Sequence, residues 1–89
     1  MVKVSYVEAK SDYLLYVKLS NGKEGVFDVK PYLDKGIFSE LKDKSYFALV
    51  KSAFGGIVWP HEQDFSADTI EYEIQWINLI FLGLSGTPS

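Results

Sequence analysis

Ile57-Val58-Trp59-Pro60-His61-Glu62-Gln63-Asp64-Phe65 is the stretch that decides the fold. Apolar, β-favouring residues run into Trp-Pro, and a polar turn comes after them. Phe54-Gly55-Gly56 precedes it, so Phe54 to Trp59 reads as one strand. The glycine pair lets the chain turn into that strand without a side-chain clash. Pro60 ends it, having no N–H to give a ladder.

Upstream, the pattern is that of an antiparallel meander. Residues 2–8 alternate, with Val2, Val4, Tyr6 and Glu8 on one face and Lys3, Ser5 and Val7 on the other. Ser11-Asp12 is a turn signal, and Tyr13–Leu19 is almost unbroken in apolarity, as a central strand is. Asn21-Gly22 comes directly after, a pair that accepts the positive φ of a tight hairpin. The return strand is Gly25–Val29, and Pro31 stops it. Pro31 to Gly36 reads as a single turn closed by glycine. A helical stretch comes next, with Phe38, Leu41, Phe47, Leu49 and Val50 available for its buried side. Asp43 is the expected N-cap of a helix over Lys44–Lys51.

The end of the chain carries two patterns. Asp68-Thr69-Ile70-Glu71 fits an Asp cap with Glu three residues on, and Ile70, Ile74, Ile77 and Phe81 then form one helical stripe. Ile70, Tyr72, Ile74 and Trp76 also alternate with Glu71, Glu73 and Gln75, as a strand would. The helix is the slightly favoured reading, with Gly83–Ser89 a frayed tail. The expected architecture is α+β: an antiparallel sheet of three to four strands with short helices packed on one face. One domain covers residues 1–82, with a flexible tail over 83–89.

Composition removes several functions. The 89 residues hold no cysteine and one histidine, so disulfides, thiol catalysis and any two-histidine site are excluded. Nine Lys face twelve Asp and Glu, Arg is absent, and the net charge is −3. Bidentate readout of phosphate or guanine has no Arg to perform it, so direct nucleic-acid contact is not expected. The lysines are evenly scattered, as on a solubilising surface. No signal peptide is visible, and the apolar run Ile74–Leu84 is far shorter than the ~20 residues that span a bilayer. These features lead to the expectation of a cytoplasmic protein with no membrane contact.

In order along the chain, Asp12-Tyr13, Asn21-Gly22, Phe27-Asp28-Val29-Lys30-Pro31-Tyr32-Leu33, Gly36-Ile37-Phe38, Leu41 with Asp43, and Ile57-Val58-Trp59-Pro60-x-x-x-Asp64-Phe65 with Asp68-Thr69-Ile70 behind it form a recurring pattern. Over residues 2 to 72 the chain resembles the small bacterial domain of unknown function numbered 2442. The family commonly carries Trp-Pro-Asn-Gly where this chain has Trp59-Pro60-His61-Glu62. The resemblance implies an α+β fold and no established enzymatic activity. It also implies a regulatory setting: some similar proteins are fused to a helix-turn-helix domain, and others are encoded beside a second small protein, as toxin–antitoxin pairs are.

Each candidate site has a plain reading beside the functional one. Trp59 with Pro60 is either an exposed aromatic anchor for a partner or a core Trp at a strand end. His61, Glu62 and Asp64 are potential ligands in one turn, but no second cluster completes a metal site. Asp28 is either a functional carboxylate or the holder of the Pro31 turn. Trp76, Ile77, Ile80 and Phe81 are either core or an apolar patch, most often closed by a second copy as a homodimer. The expected function is a non-catalytic protein-interaction or regulatory module, of the kind found in two-protein toxin–antitoxin-like systems. It binds a protein partner or itself through Trp59, Pro60, Trp76, Ile77, Ile80 and Phe81, with no catalytic residue, metal or cofactor. One alternative is a transcription-associated nucleic-acid regulator acting through a partner. Another is a small-ligand or enzymatic domain using Asp28, His61 and Asp64, which requires the three to converge in one pocket.

Overall fold

The computed structural model describes residues 1–74. Its strands are β1 (Val4–Ala9), β2 (Leu14–Leu19), β3 (Glu24–Asp28), β4 (Lys51–Ala53), β5 (Gly56–Val58) and β6 (Asp64–Phe65). They form two antiparallel three-stranded sheets, ordered β1-β2-β3 and β4-β5-β6. Helix α1 (Lys44–Phe47) lies between them in sequence, and residues 67–74 form a second helical segment, α2. The α+β class read from the sequence is the class observed, with the strands divided between two sheets.

The first sheet is the expected meander. Asn21-Gly22 makes the β2–β3 turn with Gly22 at φ +92, and Leu19 N–H bonds to the Lys23 carbonyl at 2.8 Å. In β2, Leu15, Val17 and Leu19 point to the core, and Leu14, Tyr16 and Lys18 point outward. Strand β1 departs from the expected alternation. Its pairing with β2 runs Val4↔Leu19 and then Tyr6↔Lys18, so one extra residue is accommodated between Val4 and Tyr6. Such a bulge reverses the inward and outward parity of the residues beyond it. Val4, Val7 and Ala9 therefore face inward, while Tyr6 and Glu8 are exposed.

Asp43 caps α1 as expected: its carboxylate accepts from the Ser45 N–H at 2.9 Å and the Tyr46 N–H at 3.4 Å. The helix is shorter than Lys44–Lys51, however. The Leu49 N–H returns to the Tyr46 carbonyl, Leu49 is exposed, and Lys51 already belongs to β4. The strand expected from Phe54 starts at Gly56, because Phe54-Gly55 forms the β4–β5 hairpin turn. In α2 the cap is Ser66 rather than Asp68: Ser66 Oγ accepts from the Thr69 N–H at 3.2 Å, and its carbonyl takes the Ile70 N–H at 3.1 Å. The helical reading holds over 67–74, with Ile70 and Ile74 fully buried.

Phe65 joins the layers. Its ring lies 5.0 Å from Phe27 of the first sheet, 4.8 Å from Tyr32, 5.0 Å from Phe38 and 6.1 Å from Trp59. The pairs with Phe27, Tyr32 and Trp59 are edge-to-face and the pair with Phe38 is stacked; both arrangements add to plain area burial. A backbone bond from Val4 N–H to the Gly55 carbonyl, 2.9 Å, ties the edge of the first sheet to the hairpin of the second. Among the described residues no helix is long and apolar enough to cross a membrane.

Candidate interaction site

The second sheet presents its outer face to solvent, and its geometry starts with a two-residue hairpin. Ala53 pairs with Gly56, leaving Phe54 and Gly55 at φ +54 and +84. Positive φ at both central positions is the type I′ arrangement, for which Asn-Gly is preferred. A bulky aromatic there is an outlier, costing on the order of 1–2 kcal/mol from the clash of its Cβ with the carbonyl. Phe54 is also fully exposed, so no packing offsets that cost. Gly56 has a different constraint: a Cβ there would stand 2.4 Å from the Phe65 carbonyl oxygen, so β6 can approach only glycine.

Across the outer face, Lys51, Val58 and Asp64 form one cross-strand row. A depression of about 400 Å³ opens beside it, bordered by Phe54, Val58, Trp59, Pro60 and Glu62. On the other side of Phe54 a second depression, about 410 Å³, is lined by Met1, Val2 and Lys3 among others. Phe54, Val58 and Asp64 border both.

Behind this face lies a buried polar network. Gln63 is 1% exposed. Its Oε1 accepts from the Tyr46 hydroxyl at 2.7 Å, and its Nε2 donates to the Ile37 carbonyl at 3.0 Å and to Glu40 Oε1 at 2.9 Å. The Tyr46 hydroxyl accepts from the His61 N–H at 2.8 Å, and His61 Nδ1 sits 2.6 Å from Glu40 Oε2. Every polar atom of the Gln63 side chain is thus used in holding Gly36–Lys42, α1 and the Trp59–Asp64 turn together. Glu62 takes φ +76 in that turn, a left-handed position.

The expected site residues fall in different places. Trp59 is 2% exposed, and its Nε1 donates to the Phe47 carbonyl at 2.9 Å, so its indole is a core group and not an exposed anchor. Pro60 is exposed. Trp76, Ile77, Ile80 and Phe81 lie outside the described residues, as does the tail 83–89. Asp28 accepts from the Lys30 N–H at 2.9 Å and pairs with Lys30 Nζ at 3.2 Å, which holds the Pro31 turn. His61 pairs with Glu40, and Asp64 stands in the outer row of the second sheet. Their partners differ, and Asp28 and His61 line neither of the two depressions described above. Among the described residues no three His, Asp or Glu side chains gather to hold a metal ion.

Sequence reading missed Phe54, Gln63, Glu40 and Tyr46. A signal for Phe54 existed: X-Gly between two short β-compatible runs is a hairpin spacing. Lys51-Ser52-Ala53 is too poor in β-formers to mark its first arm. No local signal distinguishes Gln63 from its solvated neighbours.

A two-sheet α+β module with a buried glutamine network and an exposed aromatic turn is the class of object these observations define. The chain belongs to the family of proteins of unknown function DUF2442, whose model matches residues 4–75. It is also similar to the crystal structure of NE0471 from Nitrosomonas europaea, described as a candidate DNA-binding protein, at 25% identity and a TM-score of 0.74. That match covers 88% of this chain and 52% of NE0471, so the chain spans about half the length of its structural relative. No curated protein matches.

Proposed function

We propose that this chain is a non-catalytic protein-interaction module that binds stoichiometrically through the outer face of β4–β6, with Phe54 as its anchor. The observation that carries this reading is Phe54 itself, fully exposed and in left-handed backbone. A residue held in an unfavourable conformation with no packing gain is accounted for when its side chain contributes to binding. The resemblance to proteins encoded in pairs supports a small protein as the partner.

The chain lacks cysteine, so Lys18→Cys on the exposed outer face of the first sheet allows coupling to a matrix at one defined point. The coupled protein and its Phe54→Asn counterpart are each exposed to lysate of the native cell, and bound protein is read by mass spectrometry. One stoichiometric partner, whether another protein or the chain itself, retained by the first and lost by the second supports the module. Retention of nothing, or of the same proteins by both, overturns it.

The description of NE0471 favours one second reading, a nucleic-acid regulator that acts through a partner. With twelve acidic side chains, nine Lys and no Arg, this chain is poorly suited to touch phosphate itself. Its expected behaviour is to leave duplex DNA unshifted at low salt when alone and to shift it only with the captured partner. A salt-sensitive shift by the chain alone would replace this reading with direct contact.

A further inference from the structure

We propose that the outer face of β4–β6 binds a second copy of this chain, face to face about a two-fold axis running along β5. This rests on the reading of that face as the interaction surface. The argument comes from the order of charges across it. The cross-strand row reads Lys51, Val58, Asp64: a cation, an apolar side chain, an anion. A face-to-face two-fold along the central strand exchanges the two ends of such a row. Lys51 of each copy then lies over Asp64 of the other, and Val58 lies over Val58, so both ion contacts form at once. A two-fold across the strands would instead set Lys51 over Lys51 and Asp64 over Asp64. The row therefore selects one orientation of its own copy.

The rest of the face is consistent with that arrangement. Phe54 stands at the hairpin end of the same face and borders the same depression as Lys51, Val58 and Asp64. The chosen axis keeps hairpin end against hairpin end, so the two Phe54 side chains come to the same end of the interface, beyond the Val58 pair. Among the described residues neither Lys51 nor Asp64 has an ion-pair partner within its own chain, so both charges are available to a second copy. The face is only three short strands wide, so the dimer belongs to the weak, concentration-dependent class.

Sedimentation equilibrium of the full chain over a concentration series tests this. The wild-type chain is expected to dimerise, and Phe54→Asn to weaken the dimer about tenfold or more. Lys51→Asp and Asp64→Lys are each expected to weaken it, since each sets like charges opposite one another. The double variant Lys51→Asp/Asp64→Lys restores the alternation with reversed sign and is expected to recover wild-type affinity. Circular dichroism confirms that each variant is folded. A chain that stays monomeric at millimolar concentration, a dimer indifferent to Phe54→Asn, or a double variant as weak as the sum of its singles overturns the proposal. Monomeric behaviour leaves the wider interaction reading standing if the lysate experiment still yields a Phe54-dependent partner of another kind.

Discussion

The Tyr46 hydroxyl donates to Gln63 Oε1 at 2.7 Å and accepts the backbone N–H of His61 at 2.8 Å, so one buried phenol holds the Trp59–Asp64 turn at two points. A buried hydrogen-bonded group contributes modestly when paired but costs its full desolvation when a partner is removed. Gln63→Leu leaves the Ile37 carbonyl without its donor and the Tyr46 O–H without its acceptor. The expected loss is about 2–4 kcal/mol of unfolding free energy. Tyr46→Phe should cost about 1–2 kcal/mol. The double variant should cost less than the sum, since both singles break the same bond. Urea denaturation midpoints with unchanged slopes would check all three.

Phe54→Asn should raise stability. Asn tolerates the left-handed region at the first central position of a type I′ turn, and Phe does not. Because Phe54 is fully exposed, no core packing is lost. The expected gain is about 1 kcal/mol, read as a thermal midpoint several degrees higher. A lower midpoint would mean that the ring makes a stabilising contact within the fold. A gain in stability accompanied by lost binding is the pattern expected of a residue kept for function.

Gly56→Ala should destabilise the second sheet. The new Cβ would stand 2.4 Å from the Phe65 carbonyl oxygen, an atom fixed in the β5–β6 ladder. The backbone must shift, at a cost of about 1–3 kcal/mol or more. Phe65 moves with it, so the change should also appear in near-ultraviolet circular dichroism from the surrounding aromatic rings.

The acid limb of stability should depend on Glu71. Hydrogen bonds from Lys23 Nζ at 3.2 Å and Asn21 Nδ2 at 2.8 Å hold its carboxyl below the ordinary value of 4.5. A folded pKa lower than the unfolded one means that this contribution is complete above about pH 4.5 and is lost as pH falls through the folded value. Glu71→Gln should therefore flatten stability against pH below 4.5, measured by denaturation at a series of pH values. An unchanged acid limb would show that the tie between α2 and the β2–β3 hairpin makes no net contribution.

The features legible in the sequence are those set by local chemistry. Asn21-Gly22 fixes a hairpin, Pro31 stops a strand and Asp43 caps a helix because each acts on backbone within a few residues. Long-range partners decide the features that were missed. The bulge between Val4 and Tyr6 is set by pairing with β2, and the inward turn of Gln63 is set by Tyr46, Ile37 and Glu40 in distant segments. Burial of Trp59 likewise depends on a carbonyl twelve residues away, at Phe47. In the candidate site Trp59 is a core group and Pro60 is exposed, while the exposed aromatic is Phe54, on the other side of the Gly55-Gly56 pair.

Met1, Val2 and Lys3 line the depression on one flank of Phe54, and Val4 is bonded to Gly55 beside it. Any polypeptide spliced ahead of Met1 thus leaves the fold at the hairpin tip. An affinity handle attached there would crowd the very surface under assay and could occlude a partner or imitate one. A natural domain attached at the same point would meet the tip at very high effective concentration, which would let it shield or unshield the surface without any change in the module itself.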